Sequence, residues 1–517
     1  RDSSTSRGLG DVYKRQITDI MDSISPDYRN QTLQSDLRPL TPNMKVAGPV
    51  YTVRGNKRFY DDGQDPRYKQ MDMLDGIFPG SIIVMDSGDE KSAAHWGELM
   101  SKITKPEKVG FSNENLEQIG ESMRSLIAAK KIPGTVTLVA RRGEVVHFEA
   151  NGMRDIERNL PMETDTIHRI YSQSKPVTGA ALMMLFEEGK FLMTDPIAKY
   201  FPEFGEMKVH LSGEGENMQT EAASSPITIQ QLASHTSGLS YSFMPGPVGS
   251  MYVSEEMERG LGNVPTAGGI FFTSGTKPAF NSLREWVRAL AELPLVAQPG
   301  TIWNYSVGMD VMGALIEELS GQSFGEFLEE RIFGPLGMED TGFMVPEEKL
   351  ERFAANYGPV PGNMMLMDDP KESGYRTPPQ LESGGGGLVS TVGDYLKFAQ
   401  MLLNKGEYEG KRYLGKKTVE FMTANHMGDE SADEGLTNLF NMLGNAYKVR
   451  GMGFGVTGSV VVNPALAGLP VSEGVYSWGG AASTHFWVDH KEDLIGICLL
   501  YTSPSPRDVE ESRMPSS

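Results

Sequence analysis

The pattern of apolar and polar residues changes from a helical to a β-strand period soon after residue 110. The helical set comprises Leu116, Ile119, Met123, Leu126 and Ile127. Two β-rich runs, 135–140 and 145–150, then flank a short turn that contains Gly143, which predicts a hairpin. Strands are also predicted near 456–462, 477–488 and 494–497, with a mainly helical region before them. This order favours one sheet that is closed by distant segments and carries an inserted helical domain.

A polar, proline-containing stretch at 101–110 predicts a domain boundary, and the runs 46–53 and 81–86 before it have strand composition. The part before the boundary resembles the regulator-of-ribonuclease-activity-A family, which includes metal-dependent aldolases. The resemblance rests on residues 18–22, 47–49, 79–81 and 95–100. The family's downstream segment for substrate and metal contacts has no counterpart here. We therefore interpret 17–104 as a partial α/β segment from a natural fusion or an assembly chimera, with a working aldolase as the alternative.

Both ends of the chain resemble translated sequencing adapters. Residues 6–16 match the in-frame translation of a transposase adapter, and 498–508 match that of its reverse complement. We therefore expect 1–16 and 498–517 to have no fold and the true amino terminus to be missing. A bacterial cytoplasmic and a periplasmic location both stay open. The only cysteine, Cys498, falls in the second segment, so no disulfide or thiol chemistry is expected.

Composition narrows the partners. The formal net charge of −20 argues against nucleic acid and acidic lipids as partners. No apolar run approaches the length of a membrane span. No group of His, Asp and Glu has the spacing of metal ligands, so neither a metal nor another cofactor is expected. The oligomeric state stays open.

The candidate nucleophile is Ser172, which stands three residues before Lys175 in an S-x-x-K sequence. At helical spacing the two side chains lie on one face. Pro176 lacks an amide hydrogen, so the helix that follows is predicted to begin near Ser172 or Gln173. A serine becomes a good nucleophile when a neighbouring base accepts its proton, and a desolvated lysine can do so. The alternative is an ordinary helix-capping serine with a first-turn lysine.

Three other candidates are interpreted as structural. A second S-x-x-K match, Ser274 to Lys277, lies in a loop-like segment that would not fix its serine against its lysine. Residues Gly321 to Gly325 satisfy G-x-S-x-G, but that motif needs a strand before it, whereas 312–319 is helical in pattern. His235 is interpreted as a turn residue.

From about residue 110 to 497 the chain resembles the serine β-lactamase-related family, which includes class C β-lactamases, D-aminopeptidases and family VIII carboxylesterases. Besides the S-x-x-K box, the matching segments are 232–239 (LASHTSGL), 299–306 (PGTIWNYS), 333–338 (FGPLGM) and 385–391 (GGGLVST). The resemblance implies an α/β, β-lactamase/transpeptidase-like fold, in which helices flank an antiparallel sheet and a helical domain is inserted. It also implies a carboxy-terminal helix, which we expect to be missing after Ile497.

The resemblance assigns further roles. Tyr305 matches the tyrosine of the family's second box, whose asparagine is absent here as in the carboxylesterases. It would complete a proton relay with Lys175, and its pKa would have to fall well below that of free tyrosine, which a nearby ammonium can cause. The oxyanion would be held by the amides of Ser172 and Ala481.

The family's third box, Lys-Thr-Gly in β-lactamases, aligns here with Trp478, Gly479 and Gly480. The missing lysine would have gripped a substrate carboxylate through a charge-assisted bond of about 1.5–3 kcal/mol. Trp478 offers an apolar wall instead, unless it is simply a core residue, and this favours neutral esters. His485 is assigned to the pocket as well. The insert 241–295 is expected to wall the pocket and set acyl specificity.

These residues predict a serine hydrolase that cleaves small-molecule esters through an acyl-enzyme on Ser172. A β-lactamase or D-amino-acid peptidase, acting on amides, is the alternative within hydrolases. An inactive chimeric or interaction protein on the same scaffold is the alternative outside them.

Overall fold

The structure, a computed structural model, describes residues 104–252, 280–360, 363–427, 432–442 and 448–500, and the backbone of two strands nearer the amino terminus. The chain divides into two compact units, Arg1–Gly97 and Glu98–Ser517. In the first unit the strands Val50–Arg54 and Ile82–Asp86 pair in parallel, within or next to the runs predicted as strands. The predictions for residues 1–16, for Ser274 to Lys277 and for a helix after residue 500 fall outside the described residues.

The second unit is built on an eight-stranded sheet of described residues, in which all neighbouring strands are antiparallel. Across the sheet the strands are Met452–Phe454, Ser459–Val461, Tyr476–Gly479, His485–Asp489, Leu494–Leu500, Gly134–Arg141, Glu144–Asp155 and Leu160–Pro161. The predicted hairpin at Gly143 is confirmed. So is the prediction of a sheet closed by distant segments, because Leu494–Leu500 (the closing strand) lies between His485–Asp489 and Gly134–Arg141.

The closing strand runs beyond the boundary predicted at Ile497. Within it Cys498 pairs with Thr137 and Leu499 with Val136, and Leu499 is fully buried. The expectation that residues from 498 onward have no fold is therefore wrong for 498–500. A β-ladder is made by backbone groups, so a run of cysteine and leucine extends it whatever the origin of the sequence.

Helices pack on this sheet, and most of them lie in the chain between the strand Leu160–Pro161 and the strand Met452–Phe454. The α-helices of four or more described residues are Asn113–Ala128, Lys175–Glu187, Ile229–Ala233, Pro247–Met251, Leu283–Leu290, Gly308–Ser320, Phe324–Leu328, Val392–Leu403, Lys416–Met422, Asp433–Met442 and Pro464–Ala467. Short strand pairs join His168–Arg169 to Val389–Ser390, Lys208–Ser212 to Gln219–Ala222, Asn356–Val360 to Asn363–Asp368 and Glu407–Tyr408 to Lys411–Arg412. The helix predicted before the hairpin is confirmed as Asn113–Ala128.

The helix Lys175–Glu187 (the nucleophile helix) lies in the core, with every residue from Lys175 to Leu185 buried. It packs against the helix Gly308–Ser320. A helix that is apolar on all sides suits this central position, and it carries the lysine of the S-x-x-K box into the interior.

The G-x-S-x-G sequence is structural, as predicted. Gly321 ends the helix Gly308–Ser320 with a φ of 76°, a left-handed conformation that glycine adopts readily. The hydroxyl of Ser323 then accepts a hydrogen bond from the amide of Glu326 and caps the helix Phe324–Leu328. This hydroxyl is occupied by a capping box, and the helix before it takes the place of the strand that a nucleophile elbow needs.

Candidate active site

Ser172 lies in a 3₁₀ turn, Tyr171–Ser174, which leads into the nucleophile helix. The ammonium or amine of Lys175 donates to Ser172 Oγ, with Nζ and Oγ 3.0 Å apart. The α-helix begins at Lys175 rather than at Ser172 or Gln173, since the tighter turn forms first. Neither the 3₁₀ turn nor the α-helix is capped by a side chain, so Ser172 is not the capping serine of the alternative interpretation.

The backbone before Ser172 is held in an unusual conformation. Tyr171 has a φ of 43°, which is strained for a residue with a side chain and costs on the order of 1–3 kcal/mol. Its hydroxyl accepts a hydrogen bond from Asn356 Nδ2 at 3.0 Å. Two residues earlier, the fully buried Arg169 donates from Nε to Asp368 Oδ2 at 2.6 Å, and its guanidinium lies 3.9 Å from the centroid of the Phe353 ring. These contacts fix the turn that presents Ser172.

Lys175 is fully buried in a largely aromatic environment. Its Nζ donates to the carbonyl oxygen of Gly385 at 2.6 Å and lies 4.7 Å from the centroid of the Tyr305 ring and 5.3 Å from that of Tyr241. Burial lowers the pKa of Lys175 to about 7, and the negative charge of Asp310 opposes that effect. A substantial fraction of Lys175 is therefore neutral at neutral pH, and a neutral amine can accept the proton of Ser172.

Tyr305 is brought to the same place, but its ionisation differs from the prediction. Its phenol interacts with Ser172, and its ring packs against His235 and Trp478, with centroids 4.7 and 5.6 Å away. Burial raises the pKa of Tyr305, and the interaction with Ser172 opposes this only in part. The predicted lowering is wrong because aromatic rings enclose the phenol and disfavour a phenolate. Tyr305 thus keeps its proton, and Lys175 is the basic group.

The strand Tyr476–Gly479 ends beside the turn that carries Ser172. A Cβ on Gly480 would lie 2.2 Å from the carbonyl oxygen of Ile170, so only glycine fits there. The hydroxyl of Thr484 donates to the same carbonyl at 3.1 Å. Ala481 packs against Tyr171. Within the described residues, neither the Ser172 amide nor the Ala481 amide donates a backbone hydrogen bond, so both are available to an oxyanion.

The other predicted pocket residues take different positions. Trp478 is buried and packs on Phe454 as well as on Tyr305. His485 is exposed, and its Nδ1 lies 2.9 Å from where a Cβ on Gly479 would be, so the imidazole covers that glycine. His485 therefore lies at the rim of the site.

The insert 241–295 borders the site at its beginning. The rings of Tyr241 and Phe243 stack with centroids 4.8 Å apart, and they lie 5.0 and 6.1 Å from the Tyr305 ring. The middle of the insert, 253–279, lies outside the described residues.

His235 is a buried turn residue, as interpreted from the sequence, with a φ of 58°. Its Nδ1 accepts a hydrogen bond from the backbone amide of Ser306 at 3.2 Å.

Sequence reasoning missed Arg169, Tyr241 and Asp310. Asp310 carries the clearest signal, because it is an acid inside the otherwise apolar and small-residue run 307–316. Such a residue in a core helix must have polar partners. Arg169 and Tyr241 follow ordinary strand and loop residues, and nothing in their local pattern marks them.

In the described ranges, no three His, Cys, Asp or Glu side chains are grouped so that they could hold a metal ion. Of the helices in those ranges, none combines the length and the apolar character that crossing a membrane requires.

Comparison with known proteins covers both parts of the chain. Residues 119–514 match the family model described as Beta-lactamase, and residues 17–110 match Aldolase/RraA. Protein Rv1367c of Mycobacterium tuberculosis is 35% identical over 75% of this chain and 91% of its own length. Esterase EstB of Burkholderia gladioli is 29% identical over 72% of this chain and 87% of its own. The solved structure of EstCE1, a hydrolase with promiscuous acyltransferase activity, superposes with a TM-score of 0.61 at 25% identity, covering 77% of this chain and 96% of that one.

Proposed function

Because this chain belongs to the beta-lactamase family, we propose that it is a serine hydrolase of the carboxylesterase type, with Ser172 as its nucleophile. The observation that carries the proposal is the 3.0 Å contact between Ser172 Oγ and the buried Nζ of Lys175, whose pKa burial lowers to about 7. A serine beside an amine that is partly neutral at neutral pH has the base that nucleophilic attack needs.

The proposed reaction has two stages. In the first, neutral Lys175 takes the proton of Ser172 as Oγ attacks the ester carbonyl, and the amides of Ser172 and Ala481 receive the oxyanion. The tetrahedral intermediate collapses, the proton passes from Lys175 to the departing alcohol, and an acyl-enzyme remains. In the second, water attacks the acyl group with Lys175 as base, and the carboxylic acid and free Ser172 are regenerated. Tyr305, neutral and beside Ser172, orients the hydroxyl.

The substrate class follows from the side chains beside the nucleophile. Trp478 packs where the resemblance places a lysine in β-lactamases, so no cation from this position awaits a substrate carboxylate. Tyr241 and Phe243 add aromatic surface beside Tyr305. Such walls favour neutral esters with an apolar acyl group. The relative named as an esterase, EstB, supports an ester rather than a β-lactam as substrate.

Two measurements test the proposal. A fluorophosphonate should label the wild-type protein at Ser172, and a nitrophenyl ester should be turned over faster than a chromogenic cephalosporin. Ser172→Ala should abolish both labelling and turnover, whereas Ser323→Ala, which removes a helix cap at the other serine motif, should keep both.

Cephalosporin turnover that exceeds ester turnover would replace the esterase by a β-lactamase. Ester hydrolysis that survives Ser172→Ala unchanged would remove Ser172 from the mechanism. A wild-type protein that is folded yet neither labelled nor active would favour an interaction protein on this scaffold.

A further inference from the structure

We propose that Asp310 is a positioning residue of the catalytic site: its buried carboxylate fixes the Gly385 carbonyl that holds Lys175 and places a negative charge beside that amine. The inference rests on the proposed function, because it concerns how Lys175 serves Ser172. The hydrogen bonds of Asp310 in the described residues go to Ser383 and Gly385 and not to Ser172.

The first line of evidence is a chain of hydrogen bonds through one glycine. Asp310 is fully buried in the first turn of the helix Gly308–Ser320. Its Oδ1 accepts from the hydroxyl of Ser383 at 2.6 Å and from the amide of Gly385 at 2.9 Å. The carbonyl of the same Gly385 accepts from Lys175 Nζ at 2.6 Å. The carboxylate thus binds the amide of Gly385, while the carbonyl of the same residue binds Lys175.

The second line of evidence is the space around that glycine. A Cβ on Gly385 would lie 2.6 Å from Asp310 Oδ2 and 2.7 Å from the hydroxyl oxygen of Tyr241. Oδ2 is buried and accepts no hydrogen bond from the described residues. An unpartnered buried carboxylate oxygen is costly to the fold, so its presence beside a reactive amine calls for a functional reason.

The third line of evidence is the charge of the groups that face Lys175. The titratable side chains close to it are Tyr241, Tyr305, His235 and Asp310. Burial raises the pKa of both tyrosines and lowers that of His235, so these three are neutral near pH 7. Burial raises the pKa of Asp310 as well, but the hydrogen bonds from Ser383 and Gly385 and the charge of Lys175 oppose this, so we assign Asp310 the negative charge among the four. Its charge favours the protonated amine and so opposes the lowering of the Lys175 pKa by burial.

The balance between these effects suits a group that must both take and return a proton. With burial alone, Lys175 would become a weaker base, and transfer from Ser172 would be less favourable. With Asp310 beside it, Lys175 keeps a pKa of about 7. The amine can then accept the proton of Ser172 during attack and return it to the leaving group.

The test follows the rate of Ser172 labelling by a fluorophosphonate as a function of pH, which needs no knowledge of the natural ester. In the wild type the rate should rise with pH to a midpoint near 7, the pKa of Lys175. Asp310→Asn keeps the shape and the acceptor oxygen but removes the charge, so Lys175 should lose its proton earlier. We expect the midpoint to move to lower pH by about one unit.

The matched control is Asp394→Asn. Asp394 is also buried and also occupies the third position of a helix, Val392–Leu403, where it pairs with Lys397. Its replacement can destabilise the fold but should leave the midpoint unchanged. A midpoint in folded Asp310→Asn equal to that of the wild type would overturn the inference. A folded wild type that is never labelled would overturn the proposed function itself, and the two failures are thus distinguishable.

A second pair of variants tests the grip on Gly385 even where Asp310→Asn fails to fold. Gly385→Ala should slow labelling at least about tenfold, because its Cβ must displace the Asp310 carboxylate or the carbonyl that holds Lys175. Gly205→Ala, which has open space around its Cβ and lies outside the residues assigned to the site, should label like the wild type. Equal labelling rates for the two alanine variants would refute the claim that Gly385, fixed by Asp310, holds Lys175 in place.

Discussion

Lys175→Met separates the contribution of Lys175 to activity from its cost to stability. Lys175 is fully buried, and its pKa falls from an ordinary value of 10.5 to about 7. That difference means that folding at pH 7 opposes the protonated side chain by about 4 kcal/mol. Methionine has a similar shape without the charge, but it leaves the Gly385 carbonyl without its donor at a cost of about 1–3 kcal/mol. The variant should therefore be about 2 kcal/mol more stable than the wild type at pH 7 and should not be labelled at Ser172.

The dependence on pH provides the sharper measurement. Because the folded pKa of Lys175 lies below the unfolded one, the unfolded chain binds more protons between about pH 7 and 10.5, and wild-type stability rises with pH in that window. The free-energy cost of burying Lys175 falls to about 1 kcal/mol near pH 9.5. The free energy of unfolding of Lys175→Met, relative to that of the wild type, should therefore fall by about 3 kcal/mol between pH 7 and pH 9.5. The hydrogen-bond loss does not titrate and cancels from this difference.

The assay is urea unfolding of both proteins at about pH 7 and about pH 9.5. The free energies of unfolding are compared after checking that both proteins show the same slope with urea concentration. Lys190→Met, at an exposed lysine just past the nucleophile helix, controls for a general effect of the substitution. A stability difference between Lys175→Met and wild type that is the same at both pH values would refute the claim that Lys175 is a destabilised, partly neutral amine.

Two further substitutions test the surroundings of Ser172. Tyr305→Phe removes the phenol that interacts with Ser172 and should slow labelling and ester turnover by about 10²–10⁴-fold with little change in melting temperature. Turnover within twofold of the wild type would exclude Tyr305 from proton handling. Gly480→Ala should lower kcat more than it raises KM, because its Cβ would lie 2.2 Å from the Ile170 carbonyl oxygen and must displace the Ala481 amide. Gly205→Ala, with open space around its Cβ, is the control. Equal kcat values for the two variants would contradict the assigned oxyanion geometry.

Prediction from the sequence succeeded where the interacting residues lie close together along the chain. The contact between Ser172 and Lys175 is local and needs only helical spacing, so it was predictable. The hairpin around Gly143 and the structural role of Ser323 are local in the same sense. Tyr305 and Trp478 were placed beside Ser172 only through the family resemblance, since no spacing rule relates residues so far apart in the chain.

The failures came from burial and from long-range polar contacts. A role for Tyr305 as a base requires its pKa to fall, which a nearby ammonium can cause, but the burial that raises the pKa of Tyr305 also lowers that of Lys175. Asp310 and Arg169 act through Gly385 and Asp368, partners that only the folded chain brings together. The strand end at 498–500 was missed because the origin of a sequence says nothing about the hydrogen bonds its backbone can make.

The closing strand has a consequence for how this protein is made. The hydroxyl of Thr135, in the adjacent strand, donates to the carbonyl oxygen of Leu499 in the closing strand, although 364 residues separate the two along the chain. During synthesis the hairpin and the nucleophile helix leave the ribosome long before the strand that completes the sheet, so their apolar surfaces wait for a partner that is translated late. Hydrolytic competence should consequently arise only after the closing strand has left the ribosome, and nascent chains halted before residue 494 should need chaperones to stay in solution.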